Sequence, residues 1–162
     1  MAYSQEISRE CPGAFLFLVD HSRSMNKDFG VDENGNPVSR AVLVAEALNS
    51  TLEELVNRCM RDEGVRDYFD IGVIGYGETH RPRFCWEDGL AGRSLVPISE
   101  VAANARVDEQ EITTMVRGQP VSETVTVSHW ITPTAIESTP MNAAVKLAYA
   151  TLQEWIYRNP NS

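Results

Sequence analysis

The chain has 162 residues, an apolar share of 43% and a formal net charge of −9, enough for one domain with a buried core. That acidity repels phosphate backbones and anionic headgroups, which argues against nucleic acid or a membrane surface as partner and for a cation or a basic protein patch. Residues 1–13 carry acidic groups where a secretory signal would be basic, and no apolar run approaches bilayer length, so the sequence reads as soluble and cytoplasmic.

Residues 14–19, AFLFLV, form a continuous apolar run that ends at Asp20, the pattern of a parallel strand buried on both faces. Residues 28–37 are rich in Asp, Asn and Gly and end in Pro, which predicts a loop. Ser39 then caps a helix whose apolar positions Val42, Ala45, Leu48, Leu52, Leu55, Val56 and Cys59 recur at three- and four-residue spacing, running to about Met60. The sequon Asn49-Ser50-Thr51 falls inside this helix and is read as coincidence. Residues 68–77, YFDIGVIGYG, predict a second strand, with glycines that admit a close neighbour. The crossover between the two strands is long enough for a right-handed βαβ unit with parallel strands. Cys11, Cys59 and Cys85 are odd in number and show no CxxC pair, so they read as reduced thiols, Cys59 in the core.

Farther along, residues 84–86 suggest a short edge strand, and 95–103 a short helix starting near Ser99 and Glu100. Residues 111–116 and 121–131, rich in Thr and Val around Arg-Gly-Gln-Pro, predict a β-hairpin. Val125, Val127, His129 and Ile131 share one face of it, so the ribbon is expected to be half-buried. Thr139 at a cap position and Pro140 at the first turn open a last helix with a stripe of Met141, Ala144, Val145, Ala148, Leu152, Trp155 and Ile156.

The residues with chemical promise lie in Val19-Asp20-His21-Ser22-Arg23-Ser24-Met25, where a carboxylate and two hydroxyls alternate just past the first strand. Ligands of open α/β sheets bind beyond the carboxyl ends of strands. Small oxygen donors there suit a hard cation, magnesium above all, which keeps several waters. The bland alternative makes Asp20 and Ser22 turn residues and Thr139 a helix cap. His21 and Arg23 are expected to face solvent or a partner, and Glu78 to be a solvated loop acid. Other motifs fail: Asp32, Asn34 and Asn36 imitate an EF-hand loop, but Pro37 stands where Gly is required. The three histidines lack zinc spacing, Ser22 has no recognisable base and acid, and Gly72, Gly75 and Gly77 make no nucleotide fingerprint.

VDHSRSM resembles the DxSxSM metal-ion-dependent adhesion site of von Willebrand factor A domains, and Glu137-Ser138-Thr139-Pro140-Met141 resembles that family's second motif. Two motifs in order carry the resemblance, while residues 78–136 match poorly. It implies metal ligation by Asp20, Ser22, Ser24 and Thr139, with Mg²⁺ or Mn²⁺ as the ion. It further implies a three-layer, doubly wound, Rossmann-like α/β fold with a mostly parallel sheet and an inserted hairpin. The family's glycines before Thr are replaced by Glu137-Ser138, and its third motif, an Asp on a later strand, has no counterpart, which weakens the expected site. Residues 1–162 therefore read as the N-terminal portion of a single domain of this kind, with strand 14–19 left at an edge. The expected function is not enzymatic: a partner protein's Asp or Glu completes the metal's shell, and self-association or a complementing fragment covers the open sheet. The rival readings are a magnesium-dependent hydrolase using Asp20 and a structural subunit with a vestigial site.

Overall fold

The apolar run before Asp20 forms β1 (Gly13–Asp20), and the glycine-bearing run forms β6 (Phe69–Tyr76). They pair in parallel, from Gly13 opposite Phe69 to Asp20 opposite Tyr76. Between them come a short antiparallel hairpin of β2 (Asp28–Val31) with β3 (Pro37–Ser39), helix α1 (Arg40–Cys59), and two-residue strands β4 (Met60–Arg61) and β5 (Gly64–Val65). After β6 follow β7 (Arg83–Phe84), β8 (Val96–Pro97), helix α2 (Ile98–Ala103), the long strands β9 (Arg106–Val116) and β10 (Gln119–His129), and helix α3 (Met141–Arg158). The computed structural model describes residues 6–32, 35–77, 81–135 and 141–160.

Alternation along β6 sends successive side chains to opposite faces, and helices cover both. Ile71 and Val73 pack with Leu48, Leu52 and Val56 of α1 and with Ile98 and Val101 of α2. Ile74 and Tyr76 pack with Ala144 and Ala148 of α3. The fold is therefore mixed α/β. The expected mostly parallel sheet is not what forms: β7 and β8 both pair antiparallel with β6, and the three remaining sheets are antiparallel hairpins. Strand β1 is an edge, pairing among the described residues with β6 alone, and Phe15 and Leu18 are 38% and 37% exposed. Burial on both faces is thus incomplete, because an apolar run needs cover from layers on each side to be closed off.

Helix α1 begins where its sequence dictates, with the Ser39 side chain accepting from Val42 N at 3.4 Å. Within the stretch 28–37, expected as a loop, residues 28–31 and 37 lie in paired strands and are exposed; short exposed strands carry no apolar alternation to announce them. At the C-terminal end of α1, Cys59 is 1% exposed, and burial pushes its thiol up from the ordinary range. A thiolate-dependent reagent such as Ellman's reagent should therefore label Cys59 in the native protein at least about tenfold more slowly than Cys11 or Cys85, and at a comparable rate in urea. Equal native rates for all three thiols would contradict the packing of α1.

Strands β9 and β10 form the expected hairpin, in register from Arg106 opposite His129 to Val116 opposite Gln119. Its turn residues Arg117 and Gly118 have φ of 52° and 80°, the combination that matches the twist of a two-residue hairpin. Only the base of the ribbon is half-buried, at Val125, Val127, Ser128 and His129, because the core ends at Trp130 and Ile131 beyond it; the outer part is largely exposed. The base is fixed by Trp130, whose Nε1 donates to Val101 O at 2.7 Å, and by Asn49 of α1. Asn49 is buried; its Oδ1 accepts from Trp130 N and Ile131 N at 2.9 and 3.1 Å, and its Nδ2 donates to Ile131 O at 3.0 Å. The sequon's amide nitrogen is thus engaged in the interior of the folded chain.

Candidate functional site

The parallel register ends with Asp20 beside Tyr76, and His21 N donating to Tyr76 O at 2.6 Å carries the chain one residue farther. The Asp20 carboxylate then turns the backbone, accepting from Ser22 N at 2.7 Å, as Asp side chains commonly do two residues on. Met25 N donates to Ser22 O at 2.9 Å and opens the short 3₁₀ helix Arg23–Asn26. The result is a tight loop in which the Ser22 and Ser24 hydroxyls share a hydrogen bond of 2.9 Å. Ser22 is buried and Ser24 exposed, so one hydroxyl anchors the loop and the other faces outward.

Strand β6 makes room for this loop. A Cβ on Gly75 would strike the His21 ring and the Cys85 sulfur, and one on Gly77 would strike the backbone between His21 and Ser22. Gly77 also has φ of 127°, a conformation that side-chain-bearing residues rarely adopt. Gly75 and Gly77 thus admit a neighbour, as expected, and that neighbour is the Asp20 loop itself. His21 is corrected by the same packing: expected to face solvent or a partner, it is only 4% exposed. With Cys85, Glu87, Thr132 and Thr134 it lines a pocket of about 60 Å³. Arg23 is exposed as expected.

Helix α3 points its first turn at the same end of the sheet. Trp155 Nε1 donates to Asp70 Oδ2 at 2.6 Å near the start of β6, while Ala144 packs with Ile74 and Tyr76 near its end, so α3 runs antiparallel to β6. Asn26 Nδ2 donates to Ala135 O at 3.2 Å, tying the 3₁₀ helix to the segment before α3. Thr139 and Glu78 lie outside the described residues. Of the four expected metal ligands, Asp20, Ser22 and Ser24 are thus gathered in one loop.

The donor set consists of oxygen alone. Among the described residues no group of three or more His, Cys, Asp or Glu side chains is placed to hold a metal; one carboxylate with hydroxyls and waters is a composition magnesium accepts. Adjacent ligands on an octahedral magnesium, each at about 2.0–2.1 Å from the ion, stand roughly 2.9 Å apart. The separation between Ser22 Oγ and Ser24 Oγ is 2.9 Å, the length of the hydrogen bond they share, and it is compatible with adjacent positions on such an ion. Burial first and the Asp20 carboxylate second push the Tyr76 phenol above its ordinary range, so Tyr76 stays a neutral neighbour of this site.

Sequence reasoning missed the structural weight of Gly75 and Gly77 for the loop; the alternating glycines of IGYG were the visible signal. Among the described residues no helix is long and apolar enough to cross a membrane. No family model matches the chain, and no curated protein matches it. A solved structure of an uncharacterized membrane spanning protein from Vibrio fischeri is similar over 89% of this chain and 98% of that one, at 10% identity and a TM-score of 0.34, a likeness that bears on neither fold nor function.

Proposed function

We propose that the protein is a metal-dependent recognition module of the von Willebrand factor A kind, on a mixed α/β frame, in which Asp20, Ser22 and Ser24, with Thr139, hold a magnesium ion. The observation that carries the reading is the pair of serine hydroxyls 2.9 Å apart beside the Asp20 carboxylate, at the carboxyl end of the β1–β6 pair. When bound, the ion supplies an electrophilic position for a carboxylate from a partner protein, since two neutral hydroxyls and a single carboxylate neutralise little of its charge. Asp20 orients the loop through Ser22 N, and Ser24, being exposed, leaves the approach open. The arrangement suits binding.

Calorimetry with magnesium chloride should show weak binding to the native protein that Ser22→Ala with Ser24→Ala removes, while circular dichroism shows the fold retained. EDTA and Thr139→Ala should each weaken capture of a partner whose binding depends on its own Asp or Glu. Magnesium binding unchanged in the double serine variant would overturn the assignment.

A further inference from the structure

A long depression runs along α1 beneath the hairpin and is independent of the metal reading. Its inner part, about 350 Å³, lies between α1 and the hairpin base, with Glu46 and Asp108 on its walls. Its outer part, about 520 Å³, lies between α1, the β2–β3 hairpin and β9, floored by Val38, Leu43 and Ile112. Glu46 borders both parts, so they adjoin. The inner part also shares Ala45, Ile131 and Thr132 with the crevice beside Asp20, so the groove leads toward that loop.

Two features define what fits. Gln110, Glu111 and Ile112 are consecutive residues of β9, which point to alternate faces of the strand, yet all three line the groove. The strand therefore presents its edge to the groove, and among the described residues β9 pairs only with β10, which leaves that edge without a strand partner. The walls carry the carboxylates of Glu46, Asp108 and Glu111; Asp108 lies 3.7 Å from the imidazole of His129, which also lines the groove, and the lining cation Arg106 is turned to Glu87 at 2.7 Å and Asp88 at 3.5 Å. An open strand edge over an apolar floor accepts an extended chain by main-chain hydrogen bonds, with side chains alternating between floor and solvent.

We infer that this groove binds an extended segment of a partner protein in which lysine or arginine alternates with apolar residues, laid along the free edge of β9. The probe is a dansyl-labelled, C-terminally amidated octapeptide of alternating lysine and valine, followed by anisotropy at low salt. It should bind the native protein equally well with and without EDTA, since it offers no carboxylate to a metal. Glu46→Lys with Glu111→Lys should raise Kd at least about tenfold, or about 1.4 kcal/mol. Glu10→Lys with Asp62→Lys makes the same change of net charge away from the groove and should alter Kd less than about twofold. N-methylation of alternate peptide bonds should abolish binding. No binding by the native protein, equal losses in the two double variants, or full affinity of the N-methylated peptide would each overturn the inference. Loss of binding in EDTA would assign the peptide to the metal loop instead and overturn the groove reading alone.

Discussion

Replacing Asn49 with alanine is expected to lower the unfolding free energy by about 3–6 kcal/mol, read from the urea midpoint by circular dichroism. The side chain is the hydrogen-bond partner of Trp130 N, Ile131 N and Ile131 O in the interior, and each buried backbone group left without a partner costs about 1–3 kcal/mol. A typical domain holds only about 5–15 kcal/mol in total, so the variant should sit close to the unfolding threshold. Leucine, which keeps the branched shape at a larger volume but restores no hydrogen bond, should fare no better. Ser50→Ala, on the exposed side of the same helix, should change stability by less than about 0.5 kcal/mol. A midpoint change worth under about 1 kcal/mol in Asn49→Ala would mean that water reaches the end of β10 and that the hairpin is not clamped by α1.

Gly77→Ala should be nearly as costly, and its effect should reach the metal. The substitution strains a backbone at φ of 127° and drives a methyl group against the His21–Ser22 peptide. Strain of the first kind costs about 1–3 kcal/mol, and the second can be relieved only by moving the loop that holds Ser22. We expect a stability loss of about 2–4 kcal/mol and a fall in magnesium affinity of at least tenfold, about 1.4 kcal/mol. Gly92→Ala is the matched control: its φ is 79°, and a Cβ there meets nothing within 4 Å. It should cost about 1 kcal/mol and leave metal binding unchanged. Native magnesium affinity in Gly77→Ala would show that the loop is not positioned by β6.

The elements most legible in the sequence were those whose periodicity carries the signal. The run before Asp20, the stripe of α1 and the run 68–77 produced β1, α1 and β6 with the expected parallel pairing. The hairpin was legible from its Thr and Val content, but its degree of burial was not, because that depends on how far the core extends beneath it. Asn49 illustrates a limit of local reading: its partners lie 81 and 82 residues away, so nothing near it in sequence marks it as a clamp. His21 illustrates another, since the burial of a loop residue was decided by missing side chains on a different strand. The minor strands β7 and β8 are two residues each, too short for alternation to reveal that they run antiparallel to β6.

The unequal support along the β9–β10 ribbon separates two properties that most surface elements combine. At full extension its eleven-residue arms span about 35 Å, yet the clamp that fixes them sits wholly at the base, in Asn49 and Trp130. Reach and anchorage are therefore set by different residues. Adding or removing paired residues near Arg117 and Gly118 changes how far the arm extends without touching the packing around Leu52 and Ile71. Lengthening keeps the outer side chains on their faces only when each arm gains two residues, because one residue per arm would turn every side chain beyond the insertion to the opposite face. The ribbon is thus an adjustable arm on a fixed mount, and its tip is where this chain can accommodate changes of length at least cost to its fold.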